Sequence, residues 1–104
     1  MNQAKFKIRQ LAQQIINNQI DFIEGCRKVT QLSNYLNNSD IERLDKHLLV
    51  IKGISSESDR FPVGKVRATC SLKHLTELDI EKEKFIIFYS STVSDSCQNI
   101  IDLI

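Results

Sequence analysis

Apolar residues recur along most of this chain at intervals of three and four, the spacing that gathers them on one face of an α-helix. In the first such stretch Ala4, Ile8, Leu11 and Ile15 form a stripe with Phe6 and Ile16 beside it, and Asn17-Asn18 marks its end. A second stripe runs through Phe22, Cys26, Val29, Leu32 and Leu36 and stops at Asn37-Asn38. Asp21-Phe22-Ile23-Glu24 at its head has capping-box spacing, in which a side-chain oxygen accepts a hydrogen bond from the backbone N–H three residues on. Gly25, near the start of this stripe, allows a neighbouring helix to approach closely. Ser39-Asp40-Ile41-Glu42 repeats the capping pattern ahead of a third stripe, Ile41, Leu44, Leu48 and Ile51. Gly53 is placed to close that helix, because a C-terminal glycine adopts the left-handed conformation at little cost.

The pattern then breaks. Gly53 to Ala68, "GISSESDRFPVGKVRA", holds the only proline of the chain and two of its three glycines. Helical spacing resumes after Ser71, a candidate N-cap, with Leu72, Leu75 and Leu78, and Thr76-Glu77-Leu78-Asp79 continues or restarts that helix. A stronger stripe follows: Phe85, Tyr89, Val93, Cys97, Ile100 and Ile104. The segment "FIIFY" is β-prone in isolation, but the stripe runs on for several turns, so one helix is expected, with Ser90-Ser91-Thr92 as a place for a bend. The expectation is an all-α protein: a small single-domain bundle of about four main helices over residues 1–104, with one long ordered loop before the C-terminal helices.

Composition narrows the function classes. The chain has 104 residues, 41% apolar and 26% charged, which suits one packed core and excludes a disordered charged tail. Lys and Arg number 14 against 13 Asp and Glu, so a net charge of +1 gives no overall drive toward nucleic acid. Lys5, Lys7 and Arg9 make a small basic patch without the interleaved aromatics that single-stranded nucleic acid prefers. There is no apolar run of membrane-spanning length, and Met1 to Lys5 lacks the features of a signal peptide, so a soluble cytoplasmic protein is expected. Cys26, Cys70 and Cys97 are odd in number and widely spaced, which argues against a disulfide framework; Cys26 and Cys97 lie on apolar stripes and read as buried thiols.

Candidate chemistry is sparse. Cys70-x-x-x-His74 places two possible metal ligands one helical turn apart, but nothing completes a site. The same pair as nucleophile and base is weak, since sequence adjacency is not the criterion for such a pair. Gly64-Lys65 is only superficially like a phosphate loop, because Val66 follows the lysine and the upstream glycine is missing. Glu77, Asp79, Glu81 and Glu83 form an acidic cluster that reads either as a solvated face or as a dock for a basic partner. The sequence thus points to no enzyme, no metal and no cofactor.

The interruption after the third stripe is longer than the two to eight residues typical of a helix connection. Phe61, Val63 and Val66 give it apolar anchors, Pro62 fixes its own φ and biases Phe61 toward extended backbone, and Gly64 permits a sharp turn. Ser55, Ser56, Ser58 and Asp59 are suited to local capping. Arg60 and Arg67 are candidates to satisfy helix-end carbonyls. The segment displays Glu57, Asp59, Arg60 and Lys65, charges of both signs, and reads equally as a cap on the bundle or as a binding surface.

"IKGISSESDRFPVGKVRATCS", Ile51 to Ser71, resembles a pattern in a family of short bacterial proteins of unassigned biochemical role. "FIEGCRKVTQL", Phe22 to Leu32, resembles the second-helix motif of that family, and "CQNII", Cys97 to Ile101, its closing helix. At Thr69-Cys70 the chain departs from the pattern, which often has an aromatic residue there. Some members look like immunity proteins of contact-dependent growth inhibition systems, in which a small cytoplasmic protein neutralises a toxin domain of its own strain. The resemblance implies a non-catalytic inhibitor that blocks a cognate toxin, often a nuclease such as an RNase. A nuclease groove is basic because it holds phosphates, so the candidate contacts are acidic: Glu57 and Asp59 with neighbouring Arg60, then Asp40, Glu42 and Asp45, then Glu77, Asp79, Glu81 and Glu83. Gly53, Phe61, Pro62, Gly64 and Arg67 would shape the loop. The alternatives are a helical interaction module with a housekeeping role and an enzyme using Cys70 and His74.

Overall fold

The computed structural model describes residues 3–61 and 68–104. The described residues form four α-helices: α1 (Gln3–Ile16), α2 (Phe22–Ser33), α3 (Asn38–Glu57) and α4 (Leu72–Leu103), with a 3₁₀ turn, Ser58–Arg60, extending α3. No strand occurs among these residues, and "FIIFY" is helical throughout. The protein is an all-α bundle. Each of α1 and α3 packs against both α2 and α4, so the four helices close a ring around one core.

Local chemistry sets the helix ends. At the end of α1, Asn18 takes a positive φ of 57°, and the Gln19 N–H donates back to the Gln14 carbonyl at 2.8 Å. Asparagine tolerates this left-handed conformation better than most residues. Asp21 caps α2 as its spacing predicts, accepting from the Glu24 N–H at 3.0 Å. Ser71 caps α4 and accepts from the His74 N–H at 3.3 Å.

Two expected boundaries move. The cap of α3 is Asn37, which accepts from the Asp40 N–H at 2.8 Å, and Ser39 lies inside the helix. Asparagine is an equally good cap, and Asp40, four residues before Leu44 and eight before Leu48, lies on the buried face of the helix. Gly53 does not end α3; the helix continues through Ser55, Ser56 and Glu57. Ile54 is the reason, since it is buried one residue past the predicted stop and extends the apolar stripe three residues beyond Ile51, with buried Ser55 beside it. Half of the predicted loop is therefore helix. Pro62, Gly64 and Arg67, together with Val63, Lys65 and Val66, lie outside the described residues.

Ile8, Ala12, Ile23, Cys26, Val29, Leu44, Leu48, Ile51, Phe61, Val93, Cys97 and Ile100 are essentially sealed from solvent. Burying an aliphatic or aromatic side chain of this size contributes about 1.5–3 kcal/mol. The α1–α2 contact depends on Gly25, where an added Cβ would sit 2.6 Å from Ile15 Cγ1 and 3.2 Å from Ile20 Cγ2. Gly53 is the opposite case, because a Cβ there would meet nothing within 4 Å.

α4 is the long member. Its 32 residues rise about 48 Å at 1.5 Å each, close to the 46 Å length of the molecule. It runs antiparallel to α3. Arg43 at the start of α3 donates to the Leu103 carbonyl, and Glu57 at the end of α3 meets Tyr89. The part of α4 preceding Phe85 extends past the end of α3 and contains no fully buried residue. Among the described residues, no helix is long and apolar enough to cross a membrane.

Candidate functional site

The end of α3, its 3₁₀ turn and the middle of α4 enclose an open groove of about 500 Å³, lined by Glu57, Arg60, Glu81, Lys84, Phe85, Phe88 and Tyr89. Its floor is an aromatic ladder. Phe61 packs edge-on against Phe85 with ring centroids 5.4 Å apart, Phe85 lies 4.9 Å from Tyr89, and Tyr89 lies 4.8 Å from Phe88. Phe61 and Phe85 are buried, Tyr89 is half-buried, and Phe88 is 74% exposed. The ladder thus leads from the core to the surface. Such offset and edge-to-face pairs each contribute about 0.5–1.5 kcal/mol beyond their buried area.

Charges are fixed along this ladder. The Arg60 guanidinium lies 4.7 Å from the Phe61 ring centroid and 5.9 Å from that of Phe85, within cation–π range. The Tyr89 hydroxyl donates to the Glu57 carboxylate, and this bond, with the Glu57 charge, holds the phenol above its ordinary pKa despite the opposing influence of Arg60. On α4, Glu81 stands four residues before Phe85 and Lys84 four before Phe88, so each charge neighbours a ring on the helix surface.

A residue from another helix holds the turn in place. Arg27 of α2 donates through one guanidinium nitrogen to the Ser58 carbonyl at 2.7 Å and the Phe61 carbonyl at 3.2 Å. Arg60 and Arg67 are the residues expected to satisfy helix-end carbonyls; Arg27 takes those of Ser58 and Phe61, Arg60 lies on the aromatics, and Arg67 is outside the described residues. The Arg27 Nε is buried without a partner among the described residues. Ser58 is itself buried and donates to the Ser55 carbonyl at 2.7 Å.

The predicted acidic residues divide among different surroundings. Glu57, Arg60 and Glu81 come together in the groove. Asp59 is exposed on the 3₁₀ turn, outside the groove lining, and Glu77 and Glu83 are exposed on α4, with Asp79 half-buried. Glu42 and Asp45 are exposed on the outer face of α3. Asp40 is only 7% exposed and faces Lys5 at 3.8 Å and Arg43 at 4.0 Å, so it links helices rather than presenting charge to a partner. Phe61 packs inward, and Gly53 lies within α3. Cys70 is half-buried and His74 is exposed in the first turn of α4. Among the described residues, no group of His, Cys, Asp and Glu is arranged to hold a metal ion.

Phe88 and Lys84 were not singled out in the sequence, although a signal existed. "FIIFY" places five large apolar residues in succession on a helix, and one buried face cannot take them all. Phe85 goes to the core, while Ile87 and Phe88 remain 71% and 74% exposed. Arg27 had no comparable signal, because its partners lie more than thirty residues away.

Compared with known proteins, the chain matches no family model, no curated protein and no solved structure.

Proposed function

We propose that this protein is a non-catalytic inhibitor that recognises a cognate toxin domain through the groove between the end of α3 and the middle of α4. The observation that carries this reading is the exposed Phe88 beside charges of both signs. An aromatic ring supported by a buried ladder and rimmed by Glu57, Arg60, Glu81 and Lys84 has the composition of an interface anchor, in which aromatics and arginine dominate binding energy. The resemblance of Phe22–Leu32 and Ile51–Ser71 to immunity-type sequences supplies the class of partner. Arg27 belongs to the first of these stretches and Ser58 and Phe61 to the second, so the two resembling segments meet at the base of the groove.

In this reading the inhibitor acts in the cytoplasm on a nuclease, such as an RNase. Glu57 and Glu81 meet cationic residues that would otherwise hold substrate phosphates, while Phe88 inserts beside them and excludes water. No reaction is catalysed, and blocking the active site suffices. The test is co-expression with the product of the gene immediately upstream, as the candidate toxin. Stable co-purification and restored growth are expected; full growth protection without a physical complex would contradict the proposal. A housekeeping interaction module remains the second reading, and it would bind a partner through the same groove while giving no protection.

A further inference from the structure

A second surface has a different chemistry. The groove between α1 and α2, about 640 Å³, is lined by Leu11, Leu32, Tyr35, Lys7, Lys28 and a set of side-chain amides. Leu11 and Leu32 are half-buried, each packed against the core on one side, and form its floor. Tyr35, 74% exposed, stands at the end of α2 as a wall. The charges on the lining are Lys7 and Lys28, both on exposed residues, and the other polar groups are amides. In a chain with 14 basic and 13 acidic residues, a groove of this size without one carboxylate is a local segregation of charge.

From this complementarity we infer that the α1–α2 groove docks an acidic amphipathic helix of a protein partner. Two packed helices leave between them the kind of channel into which a third helix lays its apolar face. Leucine-type side chains spaced i, i+3 or i+4 would rest on Leu11 and Leu32, with their flank against the Tyr35 ring. Carboxylates on either side of that stripe would reach Lys7 and Lys28, and the Gln10, Gln14 and Gln31 amides would accept or donate along the rim. The lysines act in recognition and encounter more than in raw affinity, so binding would weaken with salt. This inference does not rest on the toxin-binding reading, because Phe88 and Lys84 belong to the other groove.

The test uses a fluorescein-labelled helical peptide with leucines at i, i+3, i+4 and i+7 and glutamates flanking them, beside a counterpart in which lysines replace the glutamates. Fluorescence anisotropy with the full chain should show binding of the acidic peptide only, with amide chemical-shift changes confined to α1 and α2. The variant Lys7→Glu/Lys28→Glu should bind it about tenfold more weakly or worse, since two attractions become repulsions. Both lysines are exposed, so circular dichroism should be unchanged. No binding of the acidic peptide, equal binding of the basic one, or shift changes centred on α4 would overturn the inference. So would tighter binding of a single-stranded RNA oligomer at the same residues, or self-association of the chain that already covers them.

Discussion

The two grooves lie on one small molecule but are built in different ways. The α1–α2 groove comes from local rules: two helices joined by a short turn, one glycine that lets them touch, and a lining whose charges are lysines alone. The α3–α4 groove comes from long-range events, in which Arg27 of α2 holds the Ser58–Phe61 carbonyls while α4 brings its aromatics across. One presents a single sign of charge and a leucine floor, the other both signs and an exposed phenylalanine. A net charge near zero therefore says little about recognition, because the charges are sorted by face.

The two faces share a core, and the core gives the largest expected effect. Burial pushes the Cys26 thiol up to about 12 from an ordinary value of 9.0, with the nearby Cys97 and Asp21 adding to it, and pushes Cys97 up to about 11. The folded pKa values are raised, so stability is intact below pH 9 and falls as pH rises toward 11–12, because only the unfolded chain releases these protons. Each thiol should remove about 1.4 kcal/mol per pH unit in that window. Urea midpoints at pH 8 and pH 10.5 should differ more for the native chain than for Cys26→Ala. Both grooves should be lost together, since both stand on this core.

Arg27→Gln separates the faces. It removes a charged donor from the Ser58 and Phe61 carbonyls, at a cost of about 1.5–3 kcal/mol. Hydrogen exchange should accelerate at the end of α3 and around Phe85 while α1 keeps its protection. Equal loosening of α1 would mean that the two faces do not open independently. Gly25→Ala is the reverse experiment: its methyl would collide with Ile15, costing about 1–3 kcal/mol and disturbing the α1–α2 groove first. The smallest effect has the opposite sign. Gly53→Ala adds a methyl that meets nothing within a helix, and should stabilise the chain by about 0.5–1 kcal/mol in thermal melts.

Much of the fold is legible in the sequence. The stripes of Ile8 and Ile15, Cys26 and Val29, Leu44 to Ile51, and Phe85 to Ile100 are the core, and Asp21 and Ser71 are the caps their spacing announces. The Gly53 boundary was misleading because tertiary burial of Ile54 outweighs the modest penalty of one helical glycine. Asp40 reads as surface charge by residue type, yet it stands four residues before Leu44 on the buried face and meets Lys5. The groove was only partly readable. Glu57, Arg60 and Glu81 were candidates on charge alone, whereas Phe88 required asking how many sides of a helix can be buried, and Arg27 required the third dimension.

The α3–α4 groove is the proposed recognition surface. The decisive measurement is titration calorimetry of the product of the gene immediately upstream, the candidate toxin, against the native chain, Phe88→Ala and Tyr35→Ala. Loss of the exposed aromatic anchor should weaken binding by about thirtyfold, the equivalent of about 2 kcal/mol, and Tyr35→Ala should bind as the native chain does. Native affinity in Phe88→Ala, with the loss appearing in Tyr35→Ala instead, would contradict it.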